Sequence, residues 1–426
     1  MDNYRPRIAD EILEDKLDAM GCVLIEGPKY CGKTTLACQH ARSILFMADP
    51  ETRAENLILA QTNISRLLKG ETPRLIDEWQ LAPQLWDAVR NEVDRRHADA
   101  QFILTGSAVP PDTNLIFHSG AGRMAWLRLR TMSLWESDES SGDVSLGKLF
   151  RNPKQVDGAS KIDIETLAYL ICRGGWPKAT LKKRRKAALI QAEEYFEAVV
   201  RSDISRADDV HRDPEMARRL MRSLARNQGS QIPMTTLIDD MSANSASPMS
   251  VITMASYINA LKSIFVIEDA PAWNPNLRSK TAIRTSDTRY FSDPSIATAA
   301  LGMGPDDLVN DLNTFGLILE TLCVRDLRIY AEAIGGRVYH YRDKNGLECD
   351  AVVHLKNGSY ALIEIKLGGE KLINEGASTL RRLADKIDTT RMQPPAFLMV
   401  LTGVGQYAYR RPSDGVLVVP IGALRD

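Results

Sequence analysis

Apolar residues in the first part of the chain come in short runs, and helical stripes lie between them. The runs "GCVLIEG" (21–27), "RLIDEW" (74–79) and "QFILTGS" (101–107) each close on polar residues or glycine, the mark of a strand buried on both faces. Between them "CGKTTLACQHARSIL", with Leu36, Ile44 and Leu45 among its apolar positions, and "PQLWDAVRNEVDRR" have helical spacing. Strands alternating with helices predict a parallel sheet covered on both faces over residues 1–136. The polar stretches "SDESSGDVSLG" and "RNPKQVDGASK" predict a linker over 137–161. Residues 162–300 read as mainly helical, with turn signals at "RGGWPK" and "SANSASPMS". Residues 301–426 read as helix, three strands, helix and two strands. The three strands are "RVYHYRD", "LECDAVVHL" and "YALIEIKLGG", separated twice by "KNG", a hairpin signal. No internal repeat is evident.

"GPKYCGKTT" follows the first strand and opens the first helix, and it matches G-x-x-x-x-G-K-[ST]. Gly27 and Gly32 let backbone N–H groups curl around phosphate oxygens, and the helix N-terminus adds partial positive charge. The loop Gly27, Pro28, Lys29, Tyr30, Cys31, Gly32, Lys33, Thr34 and Thr35 is therefore expected to hold ATP. Lys33 would reach the β- and γ-phosphates, and Thr34 would ligate Mg²⁺. In "LIDEWQ", Asp77 would hold the same ion through water, and Glu78 would polarise the attacking water. Thr105 and Ser107 end the next strand, where a hydroxyl can sense the γ-phosphate. Arg123 sits in the glycine turn "SGAGR"; it is either a solvated cation or directed at a phosphate, in its own chain or a neighbour's.

The strand "YALIEIKLGG" carries a second chemical signal. Glu364 and Lys366 are two residues apart and so project from one strand face. Charges in an apolar strand must be paired, bound to metal or open to a cleft. Asp350 lies on the neighbouring strand, and the preceding helix can offer Glu320. In the middle block Lys182, Lys183, Arg184, Arg185 and Lys186 cluster, while Arg218, Arg222 and Arg226 form one helix stripe. These are either a track for a phosphate backbone or a solvated face.

The chain has 426 residues, 44% hydrophobic and 26% charged, with net charge −1, so no global basic field favours nucleic acid. Cys22, Cys31, Cys38, Cys172, Cys323 and Cys349 form no Cys-x-x-Cys pair, which argues against a zinc site or a disulfide framework. The charged N-terminus and the lack of a long apolar run predict a cytoplasmic protein without a membrane partner.

The strings "GPKYCGKTTL", "LIDEWQLAP", "FILTGSA", "SGAGR", "RGGWP" and "YFSDPSIATAALG" together resemble the prokaryotic AAA-type P-loop ATPases that carry a C-terminal domain of unknown function. The departures from that pattern are "KYC" inside the loop, "SGAGR" and "TMSLWE". The resemblance implies an α/β fold class: a P-loop parallel sheet, a winged-helix-like middle region over 162–300, and a restriction-endonuclease-like domain over 301–426. The order of elements with D…E-x-K resembles the PD-(D/E)xK nuclease fold. That resemblance implies that Asp350 and Glu364 hold Mg²⁺, that Lys366 orients water, and that Glu320 assists from the helix. The expected function is an ATPase acting on nucleic acid. The alternative is a nucleotide-dependent protein switch or remodeller, with the C-terminal domain as a platform for partners. A homo-oligomer is compatible with either.

Overall fold

The computed structural model describes residues 4–106, 119–208, 210–242, 250–274 and 286–426. They form two compact units. The first holds the chain up to Thr131 together with 201–212 and 258–266; the second holds the remainder.

In the first unit β1 (Cys22–Glu26), β2 (Ser43–Phe46), β3 (Arg74–Asp77), β4 (Phe102–Gly106) and β5 (Met124–Arg128) form a parallel sheet in the order β2-β3-β4-β1-β5. Alternate residues of β1 enter two cores. Cys22 and Leu24 pack with Leu104, Trp79 and Trp86, whereas Val23 and Ile25 pack with Leu13, Leu36 and Leu127. Burial on both faces is why these strands are continuous apolar runs. The helical spacing expected to reach Ile44 and Leu45 stops earlier: the helix is Lys33–His40, and both residues belong to β2. β2 is an edge strand with Ile44 and Phe46 half-exposed, so its composition is mixed.

The second unit contains a seven-stranded mixed sheet. Its strands are β7 (Gly158–Ala159), β10 (Gly336–Arg342), β11 (Glu348–Leu355), β12 (Tyr360–Lys366), β13 (Phe397–Thr402), β14 (Tyr407–Arg410) and β15 (Leu417–Pro420). Their order is β10-β11-β12-β13-β15-β14-β7. β10, β11 and β12 form the expected antiparallel meander, and β12 then pairs parallel with β13 across the helix Glu370–Lys386. The stretch 137–161 is not a free linker. Its β6 (Val144–Ser145) pairs with β16 (Leu424–Arg425), and its β7 pairs with β14. Those strands are two residues long and owe their conformation to distant partners, which no local pattern announces. In the middle region the helices Pro214–Arg226 and Met234–Ser242 precede β8 (Ile267–Ala270) and β9 (Thr288–Phe291), which pair antiparallel.

A buried ion cluster organises this unit. Arg325, on the helix Leu312–Ala333, bonds Asp293 through Nη1 at 3.0 Å and Asp326 through Nε at 2.8 Å and Nη2 at 2.7 Å. Both carboxylates are at 0% exposure. Asp293 also accepts from Gly175 N–H at 2.9 Å, and Asp326 from Leu134 N–H at 2.9 Å. "TMSLWE", "RGGWP" and "YFSDPS" therefore meet at one guanidinium, so these strings serve structure here.

Candidate functional site

The phosphate loop joins β1 to the helix Lys33–His40. Gly27 has φ of 154°, and a Cβ there would strike the carbonyl of Leu129; only glycine fits. Tyr30 and Glu78 take left-handed backbone at φ of 63° and 57°, a costly conformation for non-glycine residues that concentrates at functional sites. Lys33 donates to Gly27 O and Pro28 O, both at 2.8 Å, which places its ammonium inside the loop. Cys31 is fully buried in the core with its thiol toward Leu129 O, so it is a packing residue.

Parallel pairing brings the other groups to the same end of the sheet. Asp77 and Thr105 are register partners on β3 and β4. Asp77 Oδ1 accepts from Thr34 Oγ1 at 2.7 Å and from Thr105 Oγ1 at 2.5 Å. These oxygens are the hard donors that Mg²⁺ requires, and Asp77 brings the negative charge, so the residues fit the ion. Glu78 follows directly and is held by the side-chain amide of Gln80. Ser107 lies outside the described residues.

Arg123 is elsewhere. It precedes β5, whose first residue pairs with Cys22 at the start of β1, whereas the loop follows the end of β1. Five strand residues separate the two positions, roughly 16 Å at about 3.3 Å per residue. Arg123 bonds Asp94 Oδ1 at 2.7 Å and Ala121 O at 3.1 Å. A role on its own chain's phosphate is therefore corrected: in a parallel sheet the two ends of a strand face opposite sides of the domain.

In the second unit four sequence-predicted residues come together. Lys366 Nζ lies 2.7 Å from Glu364 Oε2 and 3.4 Å from Asp350 Oδ2. Asp350 Oδ2 also accepts from Ile365 N–H at 2.7 Å, across the β11–β12 pair. Glu320 receives the hydroxyl of Tyr290, and Gly229 lies so close that a Cβ would touch its carboxylate. Asp350, Glu320 and Tyr290 line a small cavity of about 20 Å³ together with Gln231, His340 and Arg342. Burial, then the charge of Asp350, pushes Glu364 up to about 8 and Glu320 well above the carboxylate range. Burial would lower Lys366, but Asp350 and Glu364 raise it above its ordinary value. The strand's charges are thus paired. Asp350 and Glu364 converge on one cation, which here is Lys366. Among the described residues no three His, Cys, Asp or Glu side chains converge as a metal site. The donor set supports a two-carboxylate Mg²⁺ site at most, with water and phosphate oxygens completing the shell.

Sequence reasoning did not find Tyr290 or Asp203, the latter bonded to Lys29 Nζ at 2.6 Å. Tyr290 stands in "YFSDPS", a string noted only for resemblance. Asp203 carries no local cue.

Comparison with known proteins finds three family matches along the chain. Residues 20–137 match the AAA domain family. Residues 164–307 and 315–424 match two domains of unknown function, DUF8612 and DUF4143. The uncharacterized proteins Rv2008c of Mycobacterium tuberculosis and Mb2031c of Mycobacterium bovis are each 24% identical over 356 residues, covering 81% of this chain and 70% of theirs. The Walker-type ATPase PABY2304 of Pyrococcus abyssi aligns over 70% of this chain and 99% of its own, with 14% identity and a TM-score of 0.44. The loop, its carboxylates and the AAA match define an AAA-type P-loop ATPase domain. A domain of this kind implies nucleotide use. Among the described residues no helix is long and apolar enough to cross a membrane.

Proposed function

We propose that this chain hydrolyses Mg²⁺-ATP at the loop 27–35 and couples turnover to action on nucleic acid through its C-terminal domain. The hydrogen-bonded set of Thr34, Asp77 and Thr105 beside Lys33 carries this reading. Thr34 and Asp77 hold Mg²⁺, which when bound neutralises charge on the β- and γ-phosphate oxygens. Lys33 moves from loop carbonyls to the phosphates. Glu78 accepts the proton of the attacking water, and Thr105 reports on the γ-phosphate through Asp77. Arg123 serves the loop of a neighbouring copy. Lys33→Ala abolishes ATP binding, and Glu78→Gln binds ATP without turning it over; wild-type hydrolysis rates in either variant refute the assignment.

Nucleic acid is supported by Lys182, Lys183, Arg184, Arg185 and Lys186, all exposed and none in an ion pair among the described residues. Arg184–Lys186 stand at the start of the helix Arg185–Ala198, where the helix dipole disfavours cations and a phosphate would relieve them. Arg218, by contrast, is committed to Glu197 at 2.6 Å. In this reading the middle region is winged-helix-like and the C-terminal domain nuclease-like, with Asp350 and Glu364 as the Mg²⁺ ligands, Lys366 directed at water and Glu320 assisting. A second reading, a partner-binding platform without cleavage, is favoured by Lys366 Nζ occupying the position between both carboxylates. Cleavage assays on DNA and RNA with Mg²⁺ or Mn²⁺, with and without ATP, separate the two.

A further inference from the structure

The phosphate loop contains a second lysine whose partner lies far away in sequence. Lys29 stands two residues after Gly27 and four before Lys33. Its ammonium is 2.6 Å from Asp203 Oδ1, with side-chain exposures of 39% for the lysine and 9% for the acid. The base reaches out of the loop and the acid is sunk into the protein. Asp203 ends a π-helical turn, Val199–Asp203, a rare geometry that re-aims side chains and is frequent at functional sites. Described residues after it are tied together by hydrogen bonds. Arg212, with its side chain at 1% exposure, bonds Ile204 O at 2.8 Å and grips both oxygens of Asp208 at 2.6 and 2.7 Å. Its N–H also bonds Ser205 Oγ at 3.0 Å. Segment 201–212 belongs to the same compact unit as the loop.

Two anions can claim the Lys29 ammonium: Asp203 and a phosphate in the loop. Lys33 is the deeper cation, already inside the loop, so Lys29 is the loop cation left to answer additional negative charge. A triphosphate brings more of that charge than a diphosphate. When Lys29 leaves, the buried Asp203 carboxylate keeps Ser202 Oγ at 3.5 Å but loses its counter-charge, so Asp203 and its segment must shift.

We propose that Lys29 and Asp203 form a latch that reads the terminal phosphate of ATP: Lys29 exchanges Asp203 for the phosphate, and the segment 201–212 carries the change. Lys29 is thereby a γ-phosphate-binding residue and Asp203 the positioning residue that restrains it. Linkage makes the effect reciprocal, so removing the charge of Asp203 must tighten ATP binding. The inference rests on ATP binding at the loop.

Fluorescent ATP and ADP analogues are titrated into the full chain as wild type, D203N, K29A and the double variant, with thermal melts to verify folding. D203N binds ATP roughly 5-fold tighter or more, the lower end of ordinary coupling between sites, and gains less for ADP. K29A weakens ATP binding, and D203N then adds nothing in the K29A background. Hydrogen–deuterium exchange on the wild type needs no variant: exchange in 201–212 rises with the ATP analogue and not with ADP. Equal D203N effects with and without Lys29, or identical exchange in the two nucleotides, overturn the latch alone. No ATP binding by the wild type overturns both the latch and the ATPase assignment.

Discussion

Replacing Arg325 by methionine tests the idea that one guanidinium holds the second unit together. The substitution keeps much of the apolar volume and removes three charge-assisted hydrogen bonds, one to Asp293 and two to Asp326. Asp293 keeps its bonds from Gly175 N–H and Ser295, and Asp326 keeps Leu134 N–H, so neither is stripped of all partners. What both lose is the counter-charge, at 0% exposure. Breaking a buried ion pair from one side costs about 3–5 kcal/mol. The cost must depend on pH. Burial already pushes Asp326 from 3.8 up to about 6, against the opposing pull of Arg325. A carboxyl whose folded pKa is raised contributes stability that is present below its unfolded value and is lost as pH rises through the folded one. In the wild type that loss falls between about 4 and 6 and amounts to roughly 3 kcal/mol at about 1.4 kcal/mol per unit. Without Arg325 the folded value climbs further, so the loss continues above pH 6. Urea unfolding of wild type and R325M at pH 5.5 and pH 8 measures this. The deficit of the variant is expected to be clearly larger at pH 8. An equal deficit at both values, or none, refutes a counter-charge role for Arg325.

How much of this could be read from the chain depended on where the partners of each residue lie. β1, β3 and β4 were legible because they are buried on both faces and so spell continuous apolar runs. β5 was not, since it is an edge strand that shows Trp126 at 45% exposure and ends in Arg128. The phosphate loop was legible because its groups are contiguous and its chemistry demands glycine at fixed positions. Asp77 and Thr105 followed from the rule that a parallel sheet gathers strand ends on one side. The same rule removes Arg123 from that side, a consequence that only the strand register makes plain. Asp350, Glu364 and Lys366 could be brought together because two short turns set the register of the meander. Lys29 and Asp203 are 174 residues apart, and no periodicity joins them. The strings "RGGWP" and "YFSDPS" carried only a turn signal and a family resemblance, and their structural role shows only where Asp293 meets a buried arginine.

Three further outcomes test the functional assignment. Asp350→Ala removes any metal-dependent cleavage the chain performs while ATP turnover continues, because its carboxylate lies in a different unit from the loop; loss of both activities would contradict the division into separate sites. Charge reversal at Lys182 and Lys183 weakens nucleic-acid binding and flattens its salt dependence by about 0.9 in log–log slope for each phosphate no longer neutralised; an unchanged slope removes this patch from the interface. The last concerns Arg123. Its exposed guanidinium, 41% accessible and bonded to Asp94 and Ala121 O, stands at the amino end of β5. The loop of the same chain opens at the carboxyl end of β1, about 16 Å off along the strand direction. Side-chain reach does not close that gap around the edge of a sheet. If Arg123 stabilises charge on the γ-phosphate, it does so for another copy. Arg123→Ala then loses ATP turnover and keeps ATP binding, and K33A loses both. Mixing the two variants must restore part of the activity, since a mixed pair contains one intact loop facing one intact arginine. Full turnover by Arg123→Ala alone would leave Arg123 as a solvated cation paired with Asp94, and a mixture as inactive as its components, under conditions where the two variants co-assemble, would refute action on another copy.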